Sequence, residues 1–189
     1  MRLQRTCGLV LAVGCAGRAL PAGNPAPVQP LIVTADGVGP ITAKTQALLT
    51  PLREALRGYD VTPHNVGDLQ YDVARNGEPL FYVVPNADDG LVFNVHVTSA
   101  RVAVAGKRWR VGQRLTDTHA LDSCECWGTQ PICYKTGEQV AAVVDHVCEL
   151  QPDEVKGAAI VRIVWSPRPF GNPDDDTDRQ SDEPPEGDD

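Results

Sequence analysis

"EPLFYVVPNADDGLVFNVHV", residues 78–97, decides how this chain folds, because it contains two apolar stretches separated by a short polar one. Val95 and Val97 alternate with polar residues, which is the period of a strand with one buried face. The intervening "NADD" is rich in turn-forming side chains, so the segment predicts a β-hairpin. After Ser99 the apolar phase shifts, which indicates a bulge or a turn at that point.

A short helix is predicted upstream of this hairpin. Thr50 is the expected N-cap, Pro51 occupies the first helical position and Gly58 ends the helix. Apolar packing elsewhere falls mostly to Val, Leu, Ala and Ile, because the aromatic content is only 5%. That composition favours strands over a helical bundle.

Two stretches of the chain resemble each other. Residues 38–48 and 111–121 both contain Val, Gly, Thr, Ala and Leu at the same positions, although chance recurrence of common residues is a competing explanation. We therefore predict an α+β fold. It is a single domain over residues 31–170, built from two pseudo-repeated strand-helix-strands units with a mainly antiparallel sheet.

The N-terminus is typical of an exported protein. Two arginines precede an apolar run that ends on small residues, the layout of a secretory signal. The sequence "LAVGC", residues 11–15, resembles a bacterial lipobox, in which the cysteine becomes the first residue of the mature chain and carries lipid. We predict a signal peptide over residues 1–14 and lipidation, including palmitate, at Cys15. Ordinary cleavage near Ala22 and a cytosolic N-terminal strand are the alternatives.

The net charge of -8 is confined to one end of the chain. Residues 171–189 contain nine Asp or Glu and one Arg, so the preceding residues hold equal numbers of acidic and basic groups and sum to zero. We predict a disordered acidic tail over residues 171–189 and, from its Pro and Gly content, a flexible tether over residues 15–30. A neutral body offers no general attraction for nucleic acid, so none is expected as a partner.

Four cysteines belong to the predicted domain: Cys124, Cys126, Cys133 and Cys148. An even number of thiols in an oxidising compartment predicts two disulfides. The residues themselves leave three connectivities open. A bond between Cys124 and Cys126 is the least favourable, because so short a ring strains the bridge.

Other chemistry for these groups is less well supported by the spacing. The cysteines do not follow the usual zinc-ligand spacing, although His119 and His146 could contribute, and we predict no metal and no cofactor. Neither a Cys-x-x-Cys pair nor a Gly-x-Ser-x-Gly motif is present. The four histidines, His64, His96, His119 and His146, are predicted to be surface or loop residues without a catalytic role.

One basic cluster stands out in the neutral body: "GKRWR", residues 106–110. If this segment is a strand, Trp109 faces the core while Arg108 and Arg110 face water. A solvated edge is the simpler interpretation. Contact with an anionic envelope surface, such as lipid headgroups, is the alternative.

Three segments together resemble one bacterial family: "GVGPITAKT" at 37–45, "GKRWRVGQRLTDTHAL" at 106–121 and "IVRIVW" at 160–165. The chain resembles the sigma-E-regulated envelope lipoproteins, whose domain has no established function. The resemblance implies a periplasm-facing α+β lipoprotein domain with no recognised active-site residues to transfer.

The same resemblance bears on the cysteines. It places Cys124 and Cys133 at the two family cysteine positions, which favours their pairing and leaves Cys126 with Cys148. The crossed pairing, Cys126 with Cys133 and Cys124 with Cys148, is the second choice.

These inferences predict an exported bacterial lipoprotein, held at the outer membrane through Cys15 and facing the periplasm or the cell surface. Its role is a non-catalytic binding or scaffolding one in the cell envelope, with an unknown envelope protein or ligand as partner. The alternative is an envelope enzyme, either a hydrolase or a metal-dependent one. The sequence does not indicate an oligomeric state.

Overall fold

The computed structural model describes residues 30–116, 118, 121–148 and 152–172. The predicted signal peptide, nearly all of the predicted tether and nearly all of the predicted acidic tail lie outside the described residues. Cys15 and His119 lie outside them as well.

The described residues form twelve strands in two sheets, together with one seven-residue helix, α1 (Leu49–Ala55). The small sheet consists of β1 (Ile32–Thr34), β2 (Gly37–Val38), β3 (Ile41–Thr42) and β8 (Ala103–Val104), in the order β3-β2-β1-β8. The large sheet consists of β4 (Asp60–Val66), β5 (Asp68–Arg75), β6 (Glu78–Pro85), β7 (Val92–Val97), β9 (Ser123–Trp127), β10 (Gln130–Tyr134), β11 (Val140–Asp145) and β12 (Ala159–Trp165). The domain is all-β, so the predicted α+β class and its two strand-helix-strands units are wrong.

The first predicted helix exists, but its start differs from the prediction. The N-cap is Leu48, which has an extended backbone and no side-chain capping bond, so Thr50 lies inside the helix. Pro51 is tolerated in the first turn because the amides there have no intrahelical acceptor. Gly58 follows the helix with φ of +88°, a conformation suited to ending it.

The helix expected in the second unit is absent from the described residues. Residues 111–121 match residues 38–48, which precede α1, so that helix would begin after Leu121. Residues Ser123–Trp127 instead form β9, which pairs antiparallel with β10. The segment ahead of β9 is held against the start of β12, since the amide of Gly112 donates to the carbonyl of Ile160 at 2.7 Å. Strand pairing therefore replaces the expected helix.

The large sheet contains two antiparallel four-strand meanders, in the order β4-β5-β6-β7-β12-β11-β10-β9. The predicted hairpin over residues 78–97 is confirmed as β6 and β7, with a bulge near Pro85. The two meanders meet where β7 pairs antiparallel with β12, in a register that places Val97 opposite Ile163 and His96 opposite Val164. The order of strands is therefore mirrored about the β7–β12 pair. The segments that flank the two meanders differ, because their sequences differ.

The main core lies on the face of the large sheet that carries Val95 and Val97 of β7, and it includes Val33 of the small sheet and Leu52 of the helix. Trp165 is also fully buried there, and its indole N–H donates to the carbonyl of Ala35 at 3.0 Å. A second, smaller apolar cluster consists of Ile132, Tyr134, Ala141, Val143 and Val164, with Val161 and Phe170 packed against it. His96 and Val164 are register partners, so the polar residues of β7 lie beside this smaller cluster.

Candidate functional site

The first pair of cysteines joins the two strands of the β9–β10 hairpin. Cys124 and Cys133 lie directly opposite each other, with a Cα–Cα distance of 4.1 Å, and they form a disulfide. The strands are connected by a two-residue turn in which Gly128 has φ of +65°. The tight turn sets the register that brings the two thiols together.

The second disulfide joins Cys126 to Cys148, with a Cα–Cα distance of 5.5 Å. It ties the exposed edge strand β9 to the segment that follows β11. These two bonds are the pairing that the family resemblance implies. Because the bridges close loops of 9 and 22 residues in sequence separation, the chain-entropy argument gives them about 3 kcal/mol each.

The part of the chain that the structure describes contains no cluster of side chains suited to bind a metal ion. No group of three or more His, Cys, Asp or Glu side chains converges there. His64 is exposed and its Nδ1 lies 2.9 Å from the carboxylate of Asp72. His146 is exposed as well, with Nδ1 3.0 Å from the carbonyl of Val147. These two histidines agree with their predicted surface placement.

His96 departs from that prediction, because it is buried on β7 with 6% exposure. Its Nε2 lies 2.7 Å from Oδ1 of Asn94, which is also buried. Burial, reinforced by the positive charge of Arg162, lowers the pKa of His96 to about 3. The ring is therefore neutral at pH 7.

Two aromatic rings enclose the His96 imidazole. The Tyr82 ring stacks on it from the neighbouring strand β6, at a centroid distance of 4.5 Å and an interplanar angle of 7°. The Trp127 ring stacks on it at 5.5 Å and 21°. Arg162 of β12 reaches the same group, since its Nη1 donates to the Tyr82 hydroxyl at 3.3 Å. We call Tyr82, Asn94, His96, Trp127 and Arg162 the His96 cluster.

The contact between Trp127 and His96 shows that the large sheet curls. Trp127 belongs to β9, which is separated from β7 by three other strands. In a flat sheet, four strand spacings would place them about 19 Å apart. The observed 5.5 Å between ring centroids therefore requires the tip of the β9–β10 hairpin to fold over the face that carries His96.

The second polar feature is a basic concavity of about 640 Å³, lined by Lys107, Arg108, Arg110, Gln113, Arg114 and Thr116. The segment is a loop instead of the strand considered above, but Trp109 is buried and Arg108 is exposed as predicted. Backbone bonds between this loop and the start of β12 hold it in place, including the bond from Gly112 to Ile160.

Most of the positive charge in this concavity is not neutralised. Lys107 pairs with Glu138 at 2.5 Å and lies 4.2 Å from the centre of the Trp109 ring. Arg110 and Arg114 donate to backbone carbonyls, at 3.2 Å and 2.8 Å, and these bonds orient the guanidinium groups without cancelling their charge. Within the described residues, none of the three lining arginines forms an ion pair with a carboxylate.

The fold and these sites define a disulfide-linked, all-β domain, and the only helix in its described part is far too short to span a bilayer. No protein-family model and no curated protein sequence matches the chain. Among solved structures, the chain is similar to the uncharacterized protein YfeY from Escherichia coli, with 16% identity and a TM-score of 0.53. The similarity covers 71% of this chain and 98% of that one, and at this identity it shows a shared fold alone.

The sequence predicted the basic concavity in part and missed the His96 cluster. The run of Lys and Arg around Trp109 was a local signal. Asn94 and His96 alternate with valines, and this pattern is also visible in the sequence. Considered for β7 alone, it indicates a strand face exposed to solvent. No local pattern indicated that Trp127 would cover that face.

Proposed function

We propose that this protein is an exported lipoprotein of the cell envelope, a member of the sigma-E-regulated envelope lipoproteins, with a non-catalytic binding role. Its basic concavity contacts anionic lipid headgroups of the membrane to which Cys15 anchors it. The observation that carries this proposal is the collection of four cationic side chains in one concavity, although residues 1–170 together carry no net charge.

The electrostatic argument favours a charged surface as the partner. Each Lys or Arg held near an anionic membrane contributes about 1 kcal/mol of attraction, and this attraction extends over a Debye length of about 8 Å at physiological salt. The three arginines without carboxylate partners, Arg108, Arg110 and Arg114, therefore supply a few kcal/mol together. Lys107 contributes less because Glu138 offsets its charge.

Because of the predicted tether, an attraction of a few kcal/mol is sufficient for the domain to contact the membrane. A flexible segment of about 15 residues has a root-mean-square length of about 21 Å. Lipidation of Cys15 would hold the domain within that distance of the bilayer. Binding then becomes an intramolecular step at high effective concentration, which does not require high intrinsic affinity.

Vesicle sedimentation tests this proposal. The full chain carrying Cys15→Ser, which cannot take lipid, is mixed at about 10 mM salt with phosphatidylcholine vesicles that contain or lack phosphatidylglycerol. At this salt the Debye length of about 30 Å strengthens the attraction and offsets the loss of the tether. We expect binding only to the anionic vesicles, weakened by salt. Removing two charges with Arg108→Gln and Arg114→Gln should weaken it about 30-fold, since about 2 kcal/mol is lost.

A matched control removes two exposed cations elsewhere, with Lys44→Gln and Arg57→Gln. This control has the same net charge as the test variant and should bind the anionic vesicles as the parent does. Equal weakening in both double variants would show that net charge, and not the concavity, drives the binding. Absence of binding to anionic vesicles would refute the proposal.

A further inference from the structure

The His96 cluster contains two buried polar atoms that lack a hydrogen-bond partner among the described residues: Nδ1 of His96 and Nε of Arg162. With Oδ1 of Asn94 as acceptor, the proton of the neutral imidazole resides on Nε2. Nδ1 is then a bare acceptor, while Nε of Arg162 is a donor. Buried groups of this kind are costly unless something satisfies them.

The two atoms have opposite requirements, and this restricts what can satisfy them. A hydroxyl group, whether of water or of a ligand, both accepts a hydrogen bond from an N–H and donates one to a bare nitrogen. A carboxylate accepts from Arg162 but brings no proton for His96. An ammonium group donates to His96 but would meet the positive charge of Arg162.

From this complementarity, together with the exposed Trp127 ring beside it, we infer that the His96 cluster is a binding site for a carbohydrate, whose ring hydroxyls bond to His96 Nδ1 and Arg162 Nε. Trp127 supplies the second requirement of such a ligand, an aromatic face for the apolar C–H side of a sugar ring. The ring of Trp127 is 39% exposed, in contrast to the buried Trp109 and Trp165. Aromatic side chains with one face accessible are suited to amphipathic partners.

Trp127 also covers one side of the His96 ring. The two rings stack at 5.5 Å, so a sugar that enters here displaces this contact and the Trp127 ring shifts. Trp127 is the last residue of β9, an edge strand, and it precedes the two-residue turn of the hairpin. A side chain at such a position moves without disturbing the main core, to which it does not belong. Trp127 is therefore both the cover of the site and its stacking surface.

Nuclear magnetic resonance of the full chain tests this inference. The indole N–H signal of Trp127 is assigned by its loss in Trp127→Phe. The probes are tetrasaccharides of glucose, mannose, galactose and N-acetylglucosamine, each added to about 10 mM, together with sodium acetate as an anion without a hydroxyl group. We expect at least one tetrasaccharide to shift the Trp127 signal saturably, and acetate to leave it unchanged.

Variants then locate the binding. His96→Phe keeps a planar ring between Tyr82 and Trp127 but removes the acceptor, and Arg162→Met removes the donor while keeping an apolar stem. Each should weaken binding of the active tetrasaccharide about tenfold or more. The control Phe93→Ala truncates an exposed aromatic residue outside the cluster, on β7, and should leave the affinity for that tetrasaccharide unchanged. The thermal midpoint verifies that each variant is folded, and either test variant suffices if the other does not fold.

Three outcomes would overturn the inference. No tetrasaccharide shifts the Trp127 signal, or the affinity is unchanged in both His96→Phe and Arg162→Met, or acetate binds as tightly as the sugars. None of these outcomes involves the basic concavity, because the two sites share no residue. The vesicle experiment can therefore fail or succeed independently.

Discussion

Acidification should destabilise the folded domain through His96. The pKa of this residue is lowered from 6.5 to about 3 by burial and by the charge of Arg162. The unfolded chain takes up a proton near pH 6.5, whereas the folded chain does so only near pH 3. The penalty on the folded state is therefore small above pH 6.5, grows as the pH falls through this interval and levels off below about pH 3.

The magnitude follows from the width of that interval. Each pH unit between the two pKa values costs about 1.4 kcal/mol of the free energy of unfolding. Between pH 7 and about pH 4.5, His96 should remove about 2.5 kcal/mol. This is a substantial part of the 5 to 15 kcal/mol that commonly stabilises a domain.

Urea unfolding at the two pH values measures this loss. The variant His96→Phe has no proton to bind at this position, so its free energy of unfolding should fall by about 2.5 kcal/mol less than that of the parent over the same interval. Contributions from carboxylates and other histidines are common to both proteins and cancel in the difference. His146→Gln, which removes an exposed histidine, should keep the pH dependence of the parent. Equal losses in the parent and His96→Phe would refute the reasoning.

Three further predictions concern the disulfide between Cys126 and Cys148, the turn at Gly37 and the predicted lipidation of Cys15. Replacing Cys126 and Cys148 together by Ser should lower the free energy of unfolding by about 3 kcal/mol in urea titrations, and an unchanged value would contradict the chain-entropy argument. Gly37→Ala should cost about 2 kcal/mol or more, seen as a lower thermal midpoint, because the added Cβ would collide with the carbonyl of Ile41. Cys15→Ala should abolish lipid labelling and release the protein from membranes washed with high salt, which removes electrostatic binding, whereas retention through that wash would refute anchoring at this residue.

Much of the local structure could be predicted from neighbouring residues. The β6–β7 hairpin follows from strand-period alternation on both sides of a polar turn, and the short helix follows from Pro51 and Gly58 near its ends. Trp109 is buried beside the exposed Arg108, as the alternation of aromatic and charged residues indicated. In each case, the interaction that decides the outcome lies within a few residues along the chain.

The fold class and the His96 cluster were decided only by tertiary structure. Residues 111–121 have the sequence pattern of residues 38–48, yet the helix expected after them is replaced by β9, which pairs with β10 and is joined to Cys148 by the disulfide of Cys126. His96 lies on the polar face of β7, which the sequence alone assigns to solvent. It becomes buried because the sheet curls and brings Trp127 across three intervening strands. Sheet curvature depends on the twist and register of all eight strands together, so no local stretch of sequence encodes that contact.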